Sequence, residues 1–266
     1  MRKSKNAFHK QFARAIVILA IVFFAGHVSV AQAIPKLVLI GDSTVNNSSG
    51  DFRGWGNIIG ESFDPAKIDV INRARGGRSS RTFITEGLWD QIKPTLAKGD
   101  IVLIQFGHND GGPIDKDRAR GSLKGIGSET QEATVESTQK KETVRTFGSY
   151  LRTYVADAKA KGAIVVLLSP VPRNRWTENK VERAAETYGG WSKAIAKETS
   201  SYFLDLNEIT ARKYEKDGSA KVDADYFTKI DNTHTSLAGA RVNAESVVEG
   251  LRKIKRLKID RFLAKR

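Results

Sequence analysis

Leu37–Val38–Leu39–Ile40–Gly41–Asp42–Ser43–Thr44 is the stretch from which the fold is read. Four apolar residues in a row, two of them β-branched, predict a strand buried on both faces, as strands of a parallel sheet are. The run stops at Gly41, and polar residues follow at once. Open α/β sheets collect their reactive groups at the carboxyl ends of the strands. Ser43 therefore stands where a nucleophile would be placed; the competing reading is that it caps a following helix.

Outward from this strand, Ile68–Asn72, Ile101–Phe106, Ile164–Leu168 and a segment around Tyr202–Leu206 have the same strand character. Helical spacing marks Trp55–Phe63, Leu88–Ala97 (kinked or broken by Pro94) and Tyr188–Glu198. Val144, Phe147, Leu151, Val155 and Ala158 define a longer amphipathic helix that stops near Gly162, and Leu237, Ala240, Ala244, Val247, Val248, Leu251 and Ile254 define the last one. Strands alternating with helices predict an α/β fold with a mostly parallel sheet covered on both faces. Segment 111–141 is polar, rich in glycine and charge, and without periodicity, so it is expected to be a loop shaping a cleft.

The chain has 266 residues, 40% of them hydrophobic, which is enough for a single domain with one sizeable core. Residues 1–33 read separately. Arg2, Lys3, Lys5, Lys10 and Arg14 precede an uncharged stretch that ends in Ala31–Gln32–Ala33. This is the layout of a secretory signal cleaved after Ala33, with an uncleaved membrane anchor as the alternative. The expected mature domain is 34–266, secreted or periplasmic, with no stable membrane insertion after cleavage. There are no cysteines, so its core must hold without disulfides.

The leader takes five of the 44 basic residues and none of the 30 acidic ones, leaving 39 against 30, a net charge of +9. Such a surface suits anionic partners, among them a polyuronate, and also serves plain solubility. No zinc-ligand spacing, helix-turn-helix signature or aromatic RNA-binding motif is present, so nucleic acid is not an expected partner. His9 and His27 leave with the leader, so only His108 and His234 remain to act as an imidazole base.

Parallel topology brings Ser43, Gly77 and Asn109, which follow the first three strands, to one rim. Acyl transfer needs a nucleophile, a base, a group that orients the base, and donors for the oxyanion. Ser43 fits the first role and His234 the second. Asp231, three residues before His234, is spaced to hold one ring nitrogen and leave the other for Ser43. The backbone N–H groups of Ser43 and Gly77, with the Asn109 amide, are candidate oxyanion donors.

Gly41–Asp42–Ser43–Thr44, the glycine after strand two, Gly107–His108–Asn109–Asp110 and Asp231–Asn232–Thr233–His234 resemble the four blocks of the SGNH (GDSL-type) hydrolase superfamily. Asn72–Arg73–Ala74–Arg75–Gly76–Gly77–Arg78–Ser79–Ser80–Arg81, the Asp-Asn-Thr-His-Thr-Ser ending and Thr44 itself are most similar to its rhamnogalacturonan acetylesterase branch. The resemblance runs from about Lys36 to the final helix. It implies a flavodoxin-like three-layer α/β/α sandwich around a five-stranded parallel sheet. It also implies a Ser43–His234–Asp231 triad with Gly77 and Asn109 as oxyanion donors; two histidines are few for a dinuclear metal site, so no metal or cofactor is expected.

The implied activity is removal of acetyl groups from acetylated plant polysaccharide or oligosaccharide, rhamnogalacturonan or pectin foremost. Acetyl-xylan, other short-chain esters, and a non-catalytic carbohydrate-binding role for Trp55, Trp89, Trp176 and Trp191 are the alternatives. Arg53, Arg78 and the Arg118–Arg120 region are candidates for holding substrate carboxylates, with solvated surface charge as the competing reading. His108 is a further candidate contact, set against a histidine bonded within its own loop.

Overall fold

Every second residue of the first strand faces one side of a sheet, and both sides are dry. The computed structural model describes residues 34–265; the expected leader 1–33 lies outside the described residues. In β1 (Lys36–Gly41), Leu37 and Leu39 enter one core while Val38 and Ile40 enter the other. β2 (Asp69–Asn72) and β3 (Ile101–Gln105) flank β1, pairing Leu39 with Asn72 and Gly41 with Gln105. After the hairpin β4 (Thr130–Val135) and β5 (Lys140–Arg145), β6 (Ile164–Leu168) adds to β3. A two-residue hairpin, β7 (Trp176–Thr177) and β8 (Lys180–Val181), precedes β9 (Tyr202–Leu204), which closes the far edge.

The five-stranded sheet has the order β2-β1-β3-β6-β9, parallel throughout. It is the flavodoxin-like order, in which the chain reverses its direction of winding between β1 and β3. The helices α1 (Thr82–Thr85), α2 (Leu88–Ile92), α3 (Phe147–Ala160) and α4 (Tyr188–Glu198) cover one face through Phe83, Trp89, Leu151, Tyr154, Val155 and Ile195. On the other face, α5 (Leu206–Asp217), the short α6 (Ser219–Lys221) and α7 (Leu237–Lys253) are joined by 3₁₀ turns over Trp55–Asn57 and Ile59–Ser62. Leu206, Ala244, Val247 and Leu251 fill that core with Trp55 and Ile59. The result is a three-layer α/β/α sandwich.

Several expectations need correction. Segment 111–141 is not structureless, because its second half enters the β4–β5 hairpin. Val144 lies in that hairpin, and the amphipathic helix begins only at Phe147, where Thr146 accepts from Ser149 N–H at 3.1 Å as its N-cap. The strand expected around Tyr202–Leu206, β9, ends at Leu204, and Leu206–Asp217 is a helix capped by Asp205. Arg81, almost fully buried, ties the long connection to the body. It donates to Glu142 of β5 at 2.8 Å and to the carbonyls of Ile114 and Gly121 at 2.8 and 3.0 Å.

Gly41 is required by close approach at the β1–β3 seam. A Cβ there would lie 2.5 Å from the backbone oxygen of Gln105 and 2.6 Å from Val45 Cγ2. Neither a sheet carbonyl nor a buried β-branched side chain gives way cheaply. Gly41→Ala is expected to cost at least about 1–3 kcal/mol, read as a lower urea midpoint at unchanged m-value.

Candidate active site

The chain leaves β1 in a tight turn rather than a helix. Asn46 N–H bonds Asp42 O at 3.0 Å, and the Asp42 carboxylate accepts from Thr44 N–H at 2.9 Å and from Thr44 Oγ1 at 2.8 Å. Asp42 thus does the capping, which leaves the Ser43 hydroxyl free to face outward. It meets His234 Nε2 at 2.8 Å, across a separation of 191 residues. His234 Nδ1 in turn lies 2.7 Å from Asp231 Oδ2.

The loop carrying that histidine is built by Asp231. Its Oδ1 accepts the N–H groups of Thr233 and His234, both at 2.7 Å, which curls the backbone so that the ring swings back onto Oδ2. Burial alone would raise the Asp231 pKa, but these hydrogen bonds outweigh it and hold the carboxyl below its usual range. Directly after the loop, Ser236 caps α7 by accepting from Gly239 N–H. Phe52 packs on the imidazole at 5.1 Å between ring centroids.

Ser43 and His234 open onto a cavity of about 840 Å³ that Gly77, Arg78, His108 and Asn109 also line. Gly77 adopts φ +77°, a left-handed conformation that suits glycine. Three consecutive carbonyls of this loop are held by side-chain donors: Gly76 O by Arg78 at 3.1 Å, Gly77 O by Arg120 at 3.2 Å, and Arg78 O by Asn109 Nδ2 at 2.9 Å. Asn109 spends one N–H on this contact and keeps the other.

A buried chain of hydrogen bonds backs the turn. Trp55 Nε1 donates to Gln105 Oε1 at 3.0 Å, Gln105 Nε2 to Thr44 Oγ1 at 2.6 Å, and Thr44 to Asp42. His108 completes it, its ring nitrogens 3.3 Å from Asp42 Oδ2 and 3.0 Å from Val171 O. Both nitrogens are therefore engaged within the protein, so His108 offers neither to a ligand.

Arg53 does not line the cavity. Its guanidinium folds back onto the carbonyls of Gly50 and Phe52, at 2.8 and 2.6 Å, while its backbone straps Thr235 beside the histidine. The tryptophans do not line it either. Trp55 and Trp89 are core, Trp176 bonds Asn174, and Trp191 packs with Phe147 and Tyr188. Among the lining or flanking residues to which the sequence assigns no role are Asn47, Phe52 and Arg173. Arg173 follows β6 through Ser169–Pro170–Val171–Pro172, so the strand-end rule would have found it. Phe52 sits in a Ser/Gly/Asp loop that gives no signal.

The GDSL-like lipase/acylhydrolase family model matches residues 39–242, most of the chain. The chain belongs to this family. It is accordingly a carboxylic ester hydrolase. A rhamnogalacturonan acetylesterase of Emericella nidulans is 33% identical over 215 residues, which span 81% of this chain and 84% of the relative. Rhamnogalacturonan acetylesterase RhgT of Bacillus subtilis is 31% identical over 235 residues, 82% of this chain and 90% of its own. Among solved structures, the YxiM protein of Bacillus subtilis aligns with a TM-score of 0.67 at 25% identity, over 84% of this acylhydrolase and 57% of that chain.

Two fully buried acids flank the site and behave oppositely. Burial pushes Asp42 up, but the His108 ring and the Thr44 donors outweigh it, so its pKa falls below the ordinary value. Asp110 accepts from Ser80 N–H at 3.1 Å, Ser80 Oγ at 2.5 Å and Ser122 Oγ at 3.1 Å, all uncharged donors. Burial dominates there and raises its pKa from 3.8 to about 7. The folded acylhydrolase then keeps a proton that the unfolded chain has already lost, so this contribution to stability drains away as pH rises through that window. Asp110→Asn cannot ionise. Its unfolding free energy relative to wild type should climb between about pH 4 and pH 7 and level off above, in urea melts run across that range.

Proposed function

We propose that this acylhydrolase is a secreted serine esterase that deacetylates plant cell-wall polysaccharide, rhamnogalacturonan or a related pectin, through an acetyl-enzyme. The observation that carries the reading is the relay from Ser43 Oγ to His234 at 2.8 Å and on to Asp231 at 2.7 Å, at the wall of an open polar cavity. His234 takes the Ser43 proton as Oγ attacks the acetyl carbonyl carbon. Asp231, held ionised, fixes the imidazole and stabilises its cation.

The oxyanion rests on the N–H groups of Ser43 and Gly77 and on the free N–H of Asn109, a set in which one lost donor typically costs about 3 kcal/mol. As the carbonyl re-forms, the C–O bond to the sugar breaks and His234 protonates the departing oxygen. Water then repeats the sequence on the acetyl-serine, returning acetate and free Ser43.

Chain length of the acyl group is limited by what the cavity lacks. Among the described residues lining it there is no aliphatic or aromatic side chain other than the His108 and His234 rings, so nothing holds a long hydrocarbon tail. An acetyl group needs none. The names of the two relatives point to the same acyl group and to a pectic carrier. Export is supported by the basic, then uncharged, character of residues 2–33 and by the Ala31–Gln32–Ala33 site.

Ser43→Ala is expected to abolish p-nitrophenyl acetate hydrolysis; turnover that survives it would sink the assignment. Asp231→Asn, with its far-UV circular dichroism unchanged, should lower kcat by about a thousandfold to ten-thousandfold. Acetate release should be faster from acetylated pectin than from acetylated xylan, and equal rates would remove the pectin preference.

A further inference from the structure

The cavity beside Ser43 holds arginines that have no acid to pair with. Arg120 lies over the oxyanion loop, its only hydrogen bond among the described residues being the one to Gly77 O at 3.2 Å. Arg173 stands on another wall, donating to Thr233 Oγ1 of the histidine loop and, at 3.2 Å, to His108 O. Among the described residues neither guanidinium has a carboxylate within 4.0 Å. The carboxylates nearby are otherwise taken: Glu86 by Arg78 at 2.8 Å, Asp42 by Thr44 and His108, and Asp231 by His234. Asp117, exposed on the rim, is the one lining acid without such a partner.

Positive charge is crowded here at a cost. Partial burial and the neighbouring Arg118 and Arg78 pull Arg120 below the ordinary arginine range, with Asp42 opposing. Burial and Arg175 do the same to Arg173, opposed by Asp42, Asp231 and Glu182. The loop that presents Arg118 and Arg120 is also strained. Asp117 and Ala119, neither of them glycine, hold φ values of +54° and +43°. Left-handed backbone at such residues costs roughly 1 kcal/mol or more apiece and gathers where function over-determines the structure. Unpaired, half-desolvated guanidiniums with N–H groups left over are the donors a carboxylate seeks.

We propose that Arg120 and Arg173 form a clamp that binds the carboxylate of a uronate unit next to the acetylated position, and so select an anionic polysaccharide over a neutral one. The proposal rests on the reading of Ser43 as the attacking group in this cavity. One guanidinium is tethered to the loop bearing Gly77 and the other to the loops bearing Asn109 and His234. A uronate held by both is thereby indexed to the acetyl site, and the neighbouring ester is brought to Ser43. Arg78 is not part of the clamp, since Glu86 already neutralises it.

Calorimetric titration with trigalacturonate, and with xylotriose as the neutral comparator, tests the clamp without requiring turnover. Trigalacturonate is expected to bind at least about tenfold tighter than xylotriose at low salt. That advantage should shrink severalfold between about 50 mM and about 500 mM sodium chloride as the charges are screened. Arg120→Gln and Arg173→Gln should each cut the trigalacturonate-to-xylotriose ratio about tenfold, with Arg120→Lys restoring part of it.

Equal binding of the two sugars by the wild type would overturn the proposal, as would variants that weaken both alike. Should Arg173→Gln fail to fold, Arg120→Gln and the salt dependence of the wild type decide. Uronate-selective binding without acetate release from acetylated pectin leaves the clamp and removes the deacetylase. Acetate release without uronate preference does the reverse.

Discussion

Pairing of β1 with β3 through Gly41 and Gln105 is the contact on which the site depends. The missing Cβ lets the two backbones close to a separation that no other residue permits, and Gln105 then reaches across to Thr44. From there the buried hydrogen bonds run one way to Trp55 and the other through Asp42 and His108 to Val171. Four separate segments, the ones after β1, β3 and β6 and the 55–57 turn, are thereby fixed against one another. Buried polar groups are costly when unpaired and specifying when satisfied. From Trp55 to Asp42 each donor in this network has its acceptor, which holds the Ser43 turn against the sheet.

That rigidity explains the division of labour between neighbours in sequence. Asp42 and Ser43 are adjacent and both suited to capping, yet only the aspartate is consumed by the turn. The serine is left over and projects from the strand end. The same logic holds at the other end of the relay, where Asp231 uses one carboxylate oxygen to build the loop and the other to hold the ring. The fold of the loop and the orientation of the His234 ring are set by a single side chain, which is why a spacing of three residues suffices.

Much of this was legible in the sequence, for a physical reason. Strands buried on both faces must be almost wholly apolar, so the runs at Leu37–Ile40, Ile101–Ile104 and Ile164–Leu168 announce themselves, and parallel topology then puts the residues after them on one rim. What escaped was whatever is wet or mixed. β4 and β5 face water along most of their length, with Val135 and Val144 among their few buried positions, so no alternation marks them. The inner stripe of α5 is Leu206, Asn207, Thr210, Ala211 and Tyr214, and its polar members hide the helical period. Side-chain direction escaped as well. Arg53 and Arg78 look alike in the sequence, but one guanidinium turns back to its own loop carbonyls while the other lies in the cavity wall against Glu86.

The charges around the site follow from the same economy of partners. Asp42 is buried yet ionised because a histidine ring and a threonine face it; Asp110, buried to the same degree, meets only uncharged donors and is pushed toward neutrality. Below about pH 7 Asp110 adds no negative charge to the core beside Asn109. With Asp42 committed to the turn, Asp231 to the histidine and Glu86 to Arg78, Asp117 on the exposed rim is the one lining acid left among the described residues, and it pairs with neither Arg120 nor Arg173. Folding alone gives no reason to hold two half-buried guanidiniums without an acid, Arg120 on a loop strained at Asp117 and Ala119 and Arg173 after β6. A ligand that carries its own carboxylate does, because it supplies on binding the counter-charge that the fold withholds.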